Sequence, residues 1–444
     1  MSFIERSTAY PVAGVPAWRP CAAPVWRGGW PCPVPLAAAV WWHPEACLSL
    51  DFKADRFMCG GAEVAADAVF AVTRSSHTRL PDGSGALQSL GNDALPRTDR
   101  GVYANGQITA LNANGNNPQS ATGWSNQGAV TLVNGPAEGI FSTLYVSGSG
   151  TVRRQTAIIT LAGAVTLAVK VSYGPGANPS DNAVVVLVTP GSNWVFSGAP
   201  GALVAIQTGG GSVTIVRNDA GEFWFLHTTA GAGDVRVGLG SGDAAKDIKL
   251  RGIDITQTGF VPDAWVSDAS PAPALLASDI RAAQGARPSN GEPEPFPGWE
   301  GAGLDDGVTV LLDFENRFRG AGSRRLFSLT KKNTATDIAV DVGSAGNTFR
   351  LTAGGATNGI PGGQTGARSR VAARVLPDGS YAMTQKGQAS VSTGTTPSAI
   401  SLDSSAVIGI GNRPALDQPW NDWVYELQVC RPLSDAQLLE WVNT

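Results

Sequence analysis

Histidine is nearly missing from this sequence: 444 residues contain three, His43, His77 and His227, far apart and in unrelated contexts. Histidine-rich metal sites and Ser/His/Asp chemistry are therefore poorly supplied. Charge is scarce as well. Only 15% of residues are charged and the net charge is -4, which excludes the basic face of a non-specific nucleic-acid binder and the Glu/Lys-rich heptads of a coiled coil. Long apolar runs are lacking too. The longest early one, Leu36 to Trp42, is about a third of a bilayer span, so no membrane insertion is expected. The first residues, MSFIERSTAYPVAGVP, place Glu5 and two prolines where a signal peptide would be apolar, and synthesis in a reducing bacterial cytoplasm is expected. Cys21, Cys32, Cys47, Cys59 and Cys430 form no CxxC pair, which argues against zinc.

What the chain does hold is glycine (55), proline (29) and tryptophan (13) in a sequence that is 43% hydrophobic. At roughly 150 residues per domain its length suggests about three units. Residues 1–50 carry Trp18, Trp26, Trp30, Trp41 and Trp42 among many prolines, which predicts an irregular segment. Indoles in so uncharged a stretch suit burial in a partner, so this segment is expected to dock the protein to a larger assembly. Residues 51–111 read as a connecting region of short strands and tight turns, with Asp82-Gly83 as a hairpin signal.

Over 112–265 the pattern is cleaner. Val165, Leu167, Val169, Val171 and Tyr173 alternate with Thr166, Ala168, Lys170 and Ser172, the signature of a strand with one face inward. Short strands follow at 183–188, 212–216, 222–227, 234–239 and 248–255, separated by Gly, Asn and Pro, which predicts an antiparallel jelly roll. Residues 266–303 are rich in Pro, Gly, Ser and Ala and read as a linker with one helical turn near Leu275. A second all-β sandwich is expected over 304–444. Its last element is a helix, capped by Ser434 with Gln437, stapled by Leu433 and Leu438, and packed through Leu438, Leu439 and Trp441. The fold class is all-β: two antiparallel sandwiches, an irregular Trp/Pro-rich start and one short C-terminal helix.

The stretch FAVTRSSHTRLPDGSGALQSLGNDALPR, residues 70–97, resembles a motif of phage tail and fibre proteins that precedes a carbohydrate-binding type of jelly roll. GWSNQGAVTL, TLAVKVSYG and the closing IDITQTGFVPDAWV are similar to that jelly roll, although Thr256-Gln257-Thr258 replaces a glutamate frequent in the family. From DFENRF through DGSYAMTQKGQ and IGIGN to WVYELQVCRPLSDAQLLEWV, the C-terminal unit resembles laminin-G and concanavalin A-like sandwiches. The resemblance implies a virion adhesin: a tail fibre, tail tip or head spike, including the spikes of gene transfer agents. It would be a homo-oligomer, a trimer in a fibre or spike, held to other virion proteins by its N-terminal segment and attached to a host surface polysaccharide. Such modules also occur on glycosidases.

Sugar sites need an aromatic platform beside planar amides and carboxylates. Trp124, Asn193-Trp194 and Trp420-Asn421-Asp422 have that composition and are the candidate carbohydrate-binding residues, with core packing as the rival role for each tryptophan. Trp224 and Trp423 lie inside strand patterns and are expected in the core. Asp313 and Glu315 share one strand face and could suggest a glycosidase pair, but they stand alone and read as a solvated face. Arg153-Arg154 and Lys331-Lys332 read as solvated surface. Asp305-Asp306 and Asp341 leave calcium open, without assigned ligands, and no other cofactor is expected. The expected function is host attachment without catalysis. A depolymerase acting on the same polymer and a purely structural decoration protein are the alternatives.

Overall fold

The computed structural model describes residues 41–74, 76–105, 107–267, 274–275, 279–282, 306–317, 324–330, 336–342, 349–353, 356–360, 366–396, 407–411, 420 and 422–444. Trp18, Trp26, Trp30, Cys21, Cys32, Asn421, Asp305, Lys331 and Lys332 lie outside them. The architecture is all-β, built from antiparallel sheets, with one C-terminal helix among the described residues. No helix there is long and apolar enough to cross a membrane.

The jelly roll has two facing sheets. One runs Thr131–Glu138, Phe141–Ser147, Ile248–Thr256, Thr166–Pro175, Glu222–Thr228, Ser212–Asn218. The other runs Trp124–Gln127, Arg153–Thr156, Gly233–Gly240, Ala183–Thr189, Ser192–Gly198, Val204–Gln207. Alternation decides which side chains meet between them: Val169, Val171, Tyr173, Phe223 and Phe225 from the first sheet pack with Val185, Leu187, Val235 and Val237 from the second. Burial of each such side chain contributes roughly 1.5–3 kcal/mol. Lys170 and Ser172, the polar alternates, necessarily leave on the outer face.

The second sandwich takes strands from both sides of the jelly roll in sequence. Its larger sheet runs Ala62–Val64, Arg56–Cys59, Ala46–Asp51, Asp422–Cys430, Val308–Asn316, Gly366–Val375, Ser380–Gln385, Ser392–Thr395, with Gly101–Ala104 also on Asp422–Cys430. The facing sheet ends with Val407–Ile410, Asp279–Ala282 and Phe70–Thr73. Leu48, Leu50, Val310, Leu312, Val340 and Leu427 share one core. Three expectations change here. Ala46–Asp51 is a strand, although it belongs to the stretch read as irregular. Residues 51–111 supply strands to this sandwich instead of only bridging. Within the expected linker, Ala274–Leu275 pairs with Ile108–Thr109 as a strand, not a helical turn, and Asp279–Ala282 sits inside a sheet. Proline-rich flanks hid strands this short, since each is stabilised by distant partners.

The helix Asp435–Asn443 begins at the expected capping box of Ser434 and Gln437. Leu438, Trp441 and Val442 bury against Leu311, Ala372 and Ala382, and Val442 takes the place expected for Leu439, which is half-buried. Cys47, Cys59 and Cys430 are free thiols.

Candidate functional site

The strand register of the first jelly-roll sheet assembles a polar row. Asp254 lies opposite Lys170, Lys170 opposite Trp224, and Trp224 opposite Arg217, so four strands place these side chains on one rung. Phe223 and Phe225 face the core, so Trp224 between them faces out. Ser172 and Glu222 form the next rung. Lys170 is the floor: its ammonium lies 3.0 Å from Asp254 and donates to the Ala264 carbonyl at 2.6 Å. The half-buried Trp224 ring sits between two cations, with Arg217 at 4.8 Å and Lys170 at 5.8 Å from its centre. Its indole N–H donates to Glu222 at 2.7 Å, and Ser172 Oγ donates to the same carboxyl at 2.8 Å. Burial raises the Glu222 pKa in spite of these donors.

This row forms one wall of a cleft of about 1150 Å³. The opposing walls are the turn 82–86, the turn at Gly139–Phe141, segment 259–265, Arg100 and Arg317. The predicted Asp82-Gly83 hairpin turn is formed by Asp82 Oδ1 accepting from Ser84 N at 2.9 Å, Ser84 Oγ at 2.6 Å and Ala86 N at 3.0 Å. Arg251 donates to Glu138 at 2.8 Å, and Lys249 pairs with the same carboxylate. Burial works against ionisation of Glu138, but the two cations prevail and hold it below the usual carboxylate range. At the far end Arg317 bridges Asp263 and Asp422, 2.8 Å from each, while Arg100 reaches Asp263 at 3.1 Å. Burial opposes the Asp263 charge, yet Arg317 and Arg100 keep its pKa low. Asp422 goes the other way: burial pushes it up to about 6 against the pull of Arg317.

The residues nominated from sequence do not converge. Trp420 is fully buried, edge-on to Phe314 at 5.2 Å, so it offers no open ring face. Asp422 is equally buried and committed to Arg317, not free for a sugar hydroxyl. Trp124 is 5% exposed, a core residue whose indole donates to the Asn114 carbonyl at 2.7 Å. Trp194 is half-buried, stacked on Phe196 at 6.1 Å, and belongs to the core face. Asn193, its neighbour, points to the other face, so strand alternation separates the pair. Trp41 donates to Glu63 at 2.7 Å and lies 5.4 Å from Trp42, which packs this end of the expected docking segment onto its own chain.

Other readings change as well. Asp313 is buried under Arg368 and Arg370, and Glu315 pairs with Arg317 at 2.7 Å, so neither forms a solvated face. Arg153 and Arg154 are 5% and 7% exposed, not surface charges. Asp341 is held by Arg350 at 2.6 Å and is not free for calcium; the described residues hold no cluster of three metal-ligating side chains. Trp423 is in the core as expected, whereas Trp224 is not. Its position was legible from its alternation with Phe223 and Phe225.

No family model matches the chain, and no curated protein does. Among solved structures, it is similar to the CBM40 module of a Ruminococcus gnavus sialidase bound to alpha2,3 sialyllactose, at 12% identity over 31% of this chain and 83% of that one, TM-score 0.25. It is similar to a heptameric pentraxin of Limulus polyphemus, at 19% identity over 30% of this chain and 68% of that one, TM-score 0.24. A Trypanosoma rangeli sialidase matches at 12% identity over 73% of this chain and 63% of that one, TM-score 0.27. Scores this low establish no shared function.

Proposed function

We propose that the protein binds a saccharide chain in the cleft beside Trp224 and thereby attaches a virion to a host surface polysaccharide. The observation that carries this reading is the joining of a half-buried indole to Glu222, Ser172, Arg217 and Arg251 within one cleft of about 1150 Å³. Drug-sized ligands occupy pockets of roughly 300–1,000 Å³, so the space suits an oligosaccharide. A sugar ring stacks on Trp224 by displacing Arg217, whose pair with Asp219 is 46% and 44% exposed and therefore weak. Glu222 and Arg251 then meet ring hydroxyls.

Binding proceeds without turnover. Hydrolysis needs two carboxyl groups across a glycosidic bond, whereas Glu138 and Asp263 are each tied to two cations. The particle-borne role is supported by residues 70–97, which resemble the phage fibre motif. Of residues 1–50, Ala46–Asp51 belongs to the second sandwich and Trp41 bonds Glu63, so the stretch before Trp41 is the docking segment for other virion proteins, and a homo-oligomer, a trimer, gains avidity from several weak sites. Screening the full chain on an array of bacterial polysaccharides tests the reading. Retention of at least one polymer by the wild type and its weaker retention by Trp224→Ala is expected. Failure to bind any would favour a structural decoration protein, and new reducing ends would favour a depolymerase.

A further inference from the structure

On the jelly-roll sheet opposite the cleft, a second polar group remains unused. Arg153 and Gln155 project from Arg153–Thr156 on the face away from the core, since their alternate Arg154 stacks beside the core residue Trp124. Arg236 projects from Gly233–Gly240 on that same outer face, because Val235 and Val237 point inward. Gly238 lies between them. A Cβ there would meet Arg153 Cδ at 2.7 Å and Gln155 Cβ at 2.8 Å, so its absence lets the Arg153 stem lie across the strand. The floor is apolar: Val184, Val186 and Val195 are 5%, 1% and 3% exposed.

The cations here are unbalanced. Arg153 is 5% exposed, and its one described hydrogen bond runs from Nη1 to the Thr151 carbonyl at 2.8 Å. Among the described residues no acid pairs with Arg153 or Arg236, while Nε of each and Oε1 of Gln155 are buried without a partner. Burial and the neighbouring Arg236 lower the Arg153 pKa to about 10. Arginines elsewhere in the sandwich are satisfied: Arg154 bonds the Pro118 carbonyl at 3.1 Å and Asn126 at 2.7 Å, and Arg251 bonds Glu138. A buried and a half-buried like charge, each with a spare Nε donor, are what an anion would complete.

We propose that Arg153 and Arg236 form an oxyanion site, taking a carboxylate or sulfate group of an acidic ligand on the face opposite the cleft. Planar guanidinium forks match the oxygens of either group. Gln155 Oε1 is an acceptor and takes a hydroxyl next to the anionic group, which fits an acidic sugar better than a bare ion. Asn193 lies on the same rung as Val188 and Arg236, placing a further amide on this face.

Calorimetric titration of the full chain with sodium glucuronate and with sodium sulfate tests the site. Either probe should bind the wild type, the tighter one naming the group, and Arg236→Gln should weaken it at least tenfold. Trp224→Ala should leave this binding unchanged, so failure here leaves the cleft reading intact. Arg236 is half-buried and its variant should fold, with a ligand-free thermal midpoint equal to or above that of the wild type. Heat from neither probe, or equal binding by Arg236→Gln, overturns the proposal.

Discussion

Replacing Trp420 by alanine separates a core residue from a sugar platform. The ring is 0% exposed, 5.2 Å from Phe314 at 90°, and 5.3 Å from the Arg324 guanidinium. Removing a buried tryptophan costs about 3–5 kcal/mol, since lost transfer energy and a residual cavity add. The edge-to-face contact with Phe314 accounts for about 0.5–1.5 kcal/mol of this. Its indole N–H is buried without a partner, so the native residue already bears a desolvation cost of about 1–3 kcal/mol. Trp420→Phe keeps most of the ring and removes that N–H, and should therefore cost clearly less than Trp420→Ala. Equilibrium urea unfolding of the three proteins measures both differences. A loss below about 1 kcal/mol for Trp420→Ala, accompanied by lost polysaccharide binding, would refute the packing and restore the residue as a ligand contact.

Two further perturbations probe the buried charges. Burial raises Glu426 to about 7 from an ordinary 4.5. The folded state thus holds a proton that the unfolded chain releases, and this contribution, full below pH 4.5, is lost as pH rises through about 7. Glu426→Gln should match the wild type near pH 4.5 and exceed it at pH 8 by at most about 3 kcal/mol in urea unfolding. A variant less stable at pH 8 would reverse the sign. Arg317→Ala should cost about 3–5 kcal/mol at pH 8 by leaving Asp422 buried and uncompensated and Asp263 with Arg100 alone, with a smaller deficit at pH 5 as Asp422 protonates. A deficit independent of pH would exclude that origin.

Short-range signals carried much of the architecture. The alternation from Val165 to Tyr173, the Asp82-Gly83 turn and the Ser434/Gln437 box are local, and each forms as expected. What escaped is long-range. Cys47 Sγ meets the Val429 carbonyl across 382 positions, so no window of sequence places Ala46–Asp51 in the C-terminal sandwich. Asp313 looked isolated because its partners, Arg368 and Arg370, are 55 and 57 residues away. Trp420 sits between Pro419 and Asn421, a loop-like composition that says nothing of the Phe314 ring beneath it. For the cleft the signal was present: Phe223 and Phe225 on one face place Trp224 and Glu222 on the other, beside Lys170 and Ser172.

The proposed role of the Trp224 cleft in holding a saccharide can be read in one comparison. Its most direct test is the affinity of purified wild type and Trp224→Ala for a polysaccharide retained on the array, with thermal midpoints measured alongside. Loss of one stacking contact of about 1 kcal/mol predicts roughly fivefold to tenfold weaker binding, with a midpoint changed by no more than a few degrees. Equal affinity of the two proteins would place the saccharide elsewhere.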